Sequence, residues 1–190
     1  VMKGILLAGG AGTRLYPITI PISKQIIPVY DKPMIYYPMS ILMTSGIKDI
    51  LIVSTPKDLY NYKKLFHDGS HLGLNISYKE QNEPRGIAEA LILAKKFIGN
   101  YNVCLILGDN IFYGDNLKKS INKALDNLNK GFSTIFGVSV ENPNQFGVIE
   151  TDSNGQLISI IEKPQNSISK TAVSGLYFYT NDCTKYVHEL

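Results

Sequence analysis

Three short segments of the chain combine residue types that could do phosphate chemistry. The first is Gly9-Gly10-Ala11-Gly12-Thr13-Arg14, a glycine-rich turn that ends in a cation and is followed by a second cation, Lys24. Backbone N–H groups approach phosphate oxygens only where side chains are absent, and a nest of such groups binds anions. The turn is not a P-loop, because no Gly-Lys-Ser/Thr follows at the needed spacing, and Leu15 stands where the dinucleotide fingerprint requires Gly or Ala. On its glycines alone it is equally a plain tight turn. Arg14 and Lys24 favour the phosphate reading, since a triphosphate carries several charges that need neutralising. The second segment is Gly108-Asp109-Asn110, at the tip of the most apolar run. A carboxylate there is either paired or holding a metal between phosphates, or it is an ordinary cap or turn residue; position alone leaves both open. The third is Glu162-Lys163-Pro164, an acid beside a base, which by itself describes a solvated pair ahead of a turn. His67, His71 and His188 have no ligand spacing and Cys183 has no acid–base partner in view, which argues against a zinc site and a catalytic triad. Cys104 reads as a small core residue.

The elements that must position these segments follow from hydrophobic period. Residues 2–8 form a short apolar run broken by Gly9-Gly10, the pattern of a buried parallel strand. The next twenty or so residues, with Pro17, Pro21 and Pro28, show no helical period and predict a long functional loop. Helices are predicted over 33–45, ending at Gly46, and over 56–66, with Pro56 at the start. Strands are predicted over 49–54, 75–80 and 103–107, and helices over 87–98 and 117–128. Four β-α repeats imply an α/β fold, Rossmann-like and doubly wound, with a mostly parallel sheet between helices. A strand over 132–140, a hairpin turning at Ser153-Asn154-Gly155, and a strand over 172–179 add a β-hairpin region. The stretch from Asp182 starts as a helix and reaches Leu190 with no capping residue, so a single domain over 1–190, cut short at its carboxyl end, is the expectation. In open α/β sheets ligands bind beyond the carboxyl ends of the strands. Residues 9–14, 81–86 and 108–110 are therefore expected to meet in one crevice.

Composition bounds the alternatives. The chain has 190 residues, 44% hydrophobic and 18% charged, with a formal charge of +3. That length allows one good-sized domain burying roughly 70% of its unfolded surface. The balance of charge argues against a nucleic-acid binder and the apolar fraction against disorder. Two cysteines make no disulfide framework and no apolar run reaches the roughly 20 residues of a spanning helix, so a cytoplasmic protein without membrane or nucleic-acid partners is expected.

Read together, Gly9 to Leu15, Ser23-Lys24-Gln25, Pro28 to Pro38, Leu107 to Gly114, Glu162-Lys163-Pro164 and Ala172 to Tyr179 closely resemble the sugar-1-phosphate nucleotidylyltransferases. The likeness is nearest to the short glucose-1-phosphate thymidylyltransferases of the dTDP-rhamnose pathway and covers essentially the whole chain. It implies transfer of a thymidylyl group from dTTP to glucose 1-phosphate, giving dTDP-glucose and pyrophosphate with Mg²⁺, by a homo-oligomer, a tetramer in the family. Uridylyl or cytidylyl transfer and a catalytically silent nucleotide-binding fragment are the alternatives. The resemblance places pyrophosphate binding on Gly9, Gly12, Thr13, Arg14, Lys24 and Gln25, and base recognition on Gln81 and Gly86. It makes Asp109 the metal ligand and, with Arg14 and Lys24, part of the catalytic set. Asn110, Gly147, Glu162, Lys163 and Val173 match positions that hold the sugar and its phosphate. Three departures stand out: a second metal-binding aspartate lies past the equivalent of Leu190 in the family, Arg85 replaces a small or acidic residue, and Phe146 replaces a tyrosine.

Overall fold

The structure is a computed structural model and describes residues 2–10, 12–83, 85–166 and 169–187; Ala11 and residues 188–190, the end of the helix predicted from Asp182, lie outside them. The elements in chain order are β1 (Met2–Leu7), β2 (Pro28–Val29), β3 (Lys32–Pro33), α1 (Tyr36–Thr44), β4 (Asp49–Ser54), α2 (Pro56–Phe66), β5 (Asn75–Glu80), α3 (Ile87–Ile98), β6 (Asn102–Leu107), α4 (Leu117–Asn129), β7 (Thr134–Ser139), β8 (Gly147–Thr151), β9 (Leu157–Glu162), β10 (Thr171–Tyr179) and α5 (Cys183–Tyr186). The chain divides into two compact units, Val1–Thr134 with Tyr177–Leu190, and Ile135–Leu176.

The first unit is built on the parallel order β5-β4-β1-β6. Its two central strands are buried on both faces: Ile5, Leu6, Val103, Cys104, Leu105 and Ile106 are fully enclosed. Only strands covered on both sides by helices read as continuous apolar runs, which is why the sequence carries no alternation there. Each connecting helix turns one apolar stripe inward. Leu59, Tyr62 and Phe66 do so from α2, and Ala90, Leu91, Ala94 and Ile98 from α3. Pro56 opens α2 at a position whose N–H has no intrahelical partner to lose. Among the described residues no helix is long and apolar enough to cross a membrane.

The stretch predicted as loop holds more structure than its period suggests. Thr13–Leu15 and Lys24–Ile26 are single 3-10 turns. Pro28 and Val29 pair antiparallel with Pro33 and Lys32 across a reversal in which Tyr30 takes φ 63°. This small sheet captures Lys32 and Pro33, so α1 begins at Tyr36 rather than at the predicted residue 33. The Tyr37 hydroxyl donates to the Val29 carbonyl at 2.7 Å and ties the hairpin to the helix.

The second unit carries the predicted hairpin. β8 pairs antiparallel with β9, from Gly147 opposite Glu162 to Thr151 opposite Leu157. The reversal at 152–156 is held by the Asp152 carboxylate, which accepts from the Asn154 and Gln156 N–H groups. β10 pairs with β8 and β7 pairs with β10.

Candidate active site

The three strand ends expected to converge do so in the first unit. The Gly108 N–H donates to the Leu7 carbonyl at 2.8 Å, and the Ala8 N–H to Val53 O at 2.8 Å. A Cβ at Gly108 would stand 3.1 Å from that Leu7 oxygen, so any other residue would push the ends of β1 and β6 apart by a few tenths of an ångström. The glycine turn therefore rises directly beside Asp109. Gly12 adopts φ 60°, ψ 29°, and its carbonyl accepts from the Thr19 hydroxyl at 2.8 Å. That left-handed conformation swings the chain into the 3-10 turn carrying Arg14. A cavity of about 430 Å³ opens over the turn and is lined by the three glycines with Thr13, Arg14, Lys24, Gln25 and Asp109. Lys24 Nζ lies 3.0 Å from Asp109 Oδ2, each side chain about one third exposed (32% and 33%). Arg14 is exposed and makes no ion pair among the described residues.

Beneath the turn lies a buried polar network that the sequence reading did not single out. Gln25 donates its amide N–H to the Gly9 carbonyl at 3.3 Å and accepts from the Ser23 hydroxyl at 2.5 Å. Ser23 also shares a hydrogen bond with the Tyr62 hydroxyl at 2.7 Å, and Ser54 donates to the Ala8 carbonyl at 2.8 Å. Burial pushes the Tyr62 phenol far above its ordinary value, so it serves as a neutral hydroxyl. Gln25 thus lines the cavity but spends both ends of its amide on the protein, as a support of the turn. The signal that could have revealed the network is the run of polar residues, Ser23, Gln25, Ser54 and Tyr62, within otherwise apolar patterns.

Gln81 follows β5 and is buried; its N–H donates to Ser54 O at 2.8 Å. Its Oε1 lies 3.7 Å from where a Cβ would stand on Gly9, which joins the expected base-recognition residue to the turn. Gly86, at φ 91°, opens α3 beside it and accepts from the Gln81 amide at 3.4 Å. Glu89, not foreseen as a site residue, accepts from the same amide at 2.6 Å. Arg85 engages Glu83 through Nε at 3.0 Å and a terminal nitrogen at 2.9 Å, on the exposed loop. Asn110 lies one residue past Asp109, its N–H donating to Leu107 O at 3.2 Å.

The second unit holds four of the five expected sugar-phosphate residues, Gly147, Glu162, Lys163 and Val173. A Cβ on Gly147 would stand 3.1 Å from Glu162 Oε2 and 3.7 Å from Val173 Cγ2. Lys163 takes φ 45°, a left-handed conformation unusual for a residue with a side chain, and its N–H donates to Phe146 O at 2.9 Å. Its ammonium lies 3.6 Å from Glu162 Oε1, both side chains well exposed.

Residues 3–190 match the Nucleotidyl transferase family. The chain belongs to that family. Glucose-1-phosphate thymidylyltransferase of Neisseria meningitidis serogroup A is 52% identical over 189 residues, which is 100% of this chain and 65% of that protein. A Bacillus anthracis protein assigned as a glucose-1-phosphate thymidylyltransferase, solved in complex with sucrose, superposes with a TM-score of 0.92 at 36% identity, covering 100% of this chain and 76% of that one. UDP-glucose pyrophosphorylase complexed with UDP-glucose superposes with a TM-score of 0.84 at 26% identity, covering 100% and 80%. The chain spans less than two thirds of the length of such curated relatives.

Nucleotidyl transferases of this family generally use a divalent metal. Among the described residues no group of three or more His, Cys, Asp or Glu side chains could hold an ion unaided. A single carboxylate nevertheless suits a hard cation that keeps its waters and takes further oxygens from bound phosphates. Asp109, on the rim of a cavity flanked by Arg14 and Lys24, meets that requirement. The cysteines offer no nucleophile: burial drives the Cys104 thiol far up and lifts Cys183 to about 11.

Proposed function

We propose that this nucleotidyl transferase transfers a thymidylyl group from dTTP to glucose 1-phosphate, giving dTDP-glucose and pyrophosphate, the reaction that opens the dTDP-rhamnose route. The observation that carries the reading is the Lys24–Asp109 pair, about one third exposed, on a cavity that opens over the glycine turn. The similarity to named thymidylyltransferases supports the choice of nucleotide and sugar. The match of one family to residues 3–190 supports treating both units as one nucleotidyltransferase domain.

In this reading a phosphate oxygen of the sugar attacks the α-phosphorus of dTTP in line, and pyrophosphate departs. No covalent step falls to the protein, so positioning and charge neutralisation supply the rate. The N–H groups of the turn with Gly9, Gly12 and Thr13 hold the triphosphate, and Arg14 and Lys24 offset the charge that grows on the leaving pyrophosphate. Lys24 is held by Asp109 before substrate arrives, so little reorganisation is needed when that charge develops. Asp109 would hold Mg²⁺, which when bound neutralises phosphate charge and aligns the phosphates. Gln81 and Gly86 meet the base. Asn110, Gly147, Glu162, Lys163 and Val173 take the sugar phosphate, with Glu162 accepting sugar hydroxyls and Lys163 steering the phosphate.

Incubation with dTTP, glucose 1-phosphate and Mg²⁺ tests the reading, the expected product being dTDP-glucose. Tight dTTP binding with no turnover would instead identify a silent nucleotide-binding chain. The likeness to UDP-glucose pyrophosphorylase favours uridylyl transfer as a second reading. Pyrophosphate release measured across a panel of nucleoside triphosphates separates the two.

A further inference from the structure

Gln81 is 2% exposed, so both polar atoms of its amide have to find partners within the protein or a ligand. Nε2 lies 2.6 Å from Glu89 Oε2 and 3.4 Å from the Gly86 carbonyl. Both of those oxygens are acceptors, and a carboxylate has no proton to give. The nitrogen and not the oxygen of the amide must therefore face them. Oε1 is left on the other side, facing Gly9, 3.7 Å from where a Cβ would stand on that glycine, which itself lines the cavity over the turn. Against a neighbour that can donate as well as accept, the amide could sit either way round, because its two ends have nearly the same shape. Against Glu89 it cannot.

We infer that Glu89 is a specificity-determining positioning residue, which locks the Gln81 amide so that an acceptor, never a donor, meets the nucleotide base. The inference rests on the proposed function, in which Gln81 contacts the base of the bound triphosphate. Thymine and uracil present an N–H at ring position 3. Cytosine presents a lone pair at the same position. An acceptor fixed opposite that position bonds the first two and repels the third, and the locked amide cannot rotate to accommodate cytosine. A site built around one obligatory hydrogen bond rejects the analogue that lacks it far more strongly than a site relying on shape. Glu89 would thus set the choice between imide and amino pyrimidines without touching the ligand. It stands in the first turn of α3, three residues after Gly86, a position from which an acid reaches back toward the preceding loop.

The test compares binding of dTTP and dCTP to the unmodified chain, to Glu89→Gln and to Glu89→Leu, by titration calorimetry in Mg²⁺. Glu89→Gln is nearly isosteric and can donate as well as accept, which permits both orientations of Gln81. Glu89→Leu withdraws the polar partner. In both variants the preference for dTTP over dCTP should fall about tenfold or more, with dTTP itself weakened less than the preference changes. A loss of equal size for both triphosphates would reduce Glu89 to a structural role and overturn the inference. So would an unchanged preference in both variants. If the unmodified chain binds dTTP weakly, or no better than dCTP, the thymidylyl reading itself fails and takes this inference with it.

Discussion

Two acid–base pairs, one in each unit, show how differently the same chemistry can be mounted. Lys24 and Asp109 lie 3.0 Å apart, about one third exposed, over a buried network reaching from Gln25 through Ser23 to Tyr62. Lys163 and Glu162 lie 3.6 Å apart and are 63% and 72% exposed. The first pair joins the 3-10 turn at Lys24 to the end of β6. The second is set mainly by the backbone of Lys163, bent to φ 45° directly after β9. An exposed pair of adjacent residues adds little to stability because water screens it and two long side chains must be ordered. On the proposed function, the phosphate grip is set before any ligand arrives, whereas the Glu162–Lys163 pair would acquire fixed geometry only against a substrate.

The most direct way to break the comparison is Lys24→Ala. Turnover should drop on the order of 10²–10³-fold, as for loss of one preorganised electrostatic group, while the dissociation constant for dTTP rises much less. Steady-state kinetics beside calorimetry decide it, and equal losses would remove the transition-state role. Next in size is Gly108→Ala, which sets a methyl against the Leu7 carbonyl. It should cost about 1–3 kcal/mol in denaturant unfolding and weaken dTTP binding at the same time. Tyr62→Phe leaves the packing of a fully buried ring intact but withdraws a hydroxyl from Ser23. We expect about 1 kcal/mol of destabilisation, read from the shift of the urea midpoint. Lys163→Ala should leave stability within about 0.5 kcal/mol while raising KM for glucose 1-phosphate and sparing that for dTTP. A large loss of stability there would show the second pair to be built into the fold after all.

A third pair sharpens the contrast from the opposite end of the parallel sheet. At the start of β4, Asp49 accepts from the Asn75 amide at 2.9 Å and from Lys3 Nζ at 3.2 Å. The Asn75 bond first, and then Lys3, hold its carboxyl below the ordinary value. A carboxyl lowered in the folded state adds stability above its unfolded value, and that contribution is lost as pH falls through the lowered folded value. Asp49→Asn should therefore flatten the acid limb of thermal stability against pH and leave dTTP affinity unchanged, being remote from the strand ends that carry the site.

The parts of this molecule legible from sequence are those governed by period and by the ends of strands. β1 and β6 are visible as unbroken apolar runs, α2 by its opening Pro56, and the β8–β9 hairpin by Ser153-Asn154-Gly155. The same logic brings Gly9 and Asp109 to one cavity and places Gln81 beside Gly9. Residues 13–33 were opaque, because 3-10 turns and a two-residue-per-strand sheet are too short to leave a period. Pro33 sits at the head of an apolar helical pattern yet pairs with Pro28, a tertiary choice that local spacing does not encode. Glu89 escaped notice because its partner, Gln81, lies across a loop in a different element. The Tyr62–Ser23 contact spans 39 positions, and nothing local marks it.

The close approach at Gly108 couples two functions that could otherwise have evolved apart. With one carbonyl and one amide clamped across β1 and β6, the turn that would cradle a triphosphate and the carboxylate that would face its metal share a single mechanical mount. Their spacing is not adjustable by exchanging side chains. New substrate preferences on this scaffold must come from the rims, from residues such as Glu89 or Arg85, while the shared mount stays as it is.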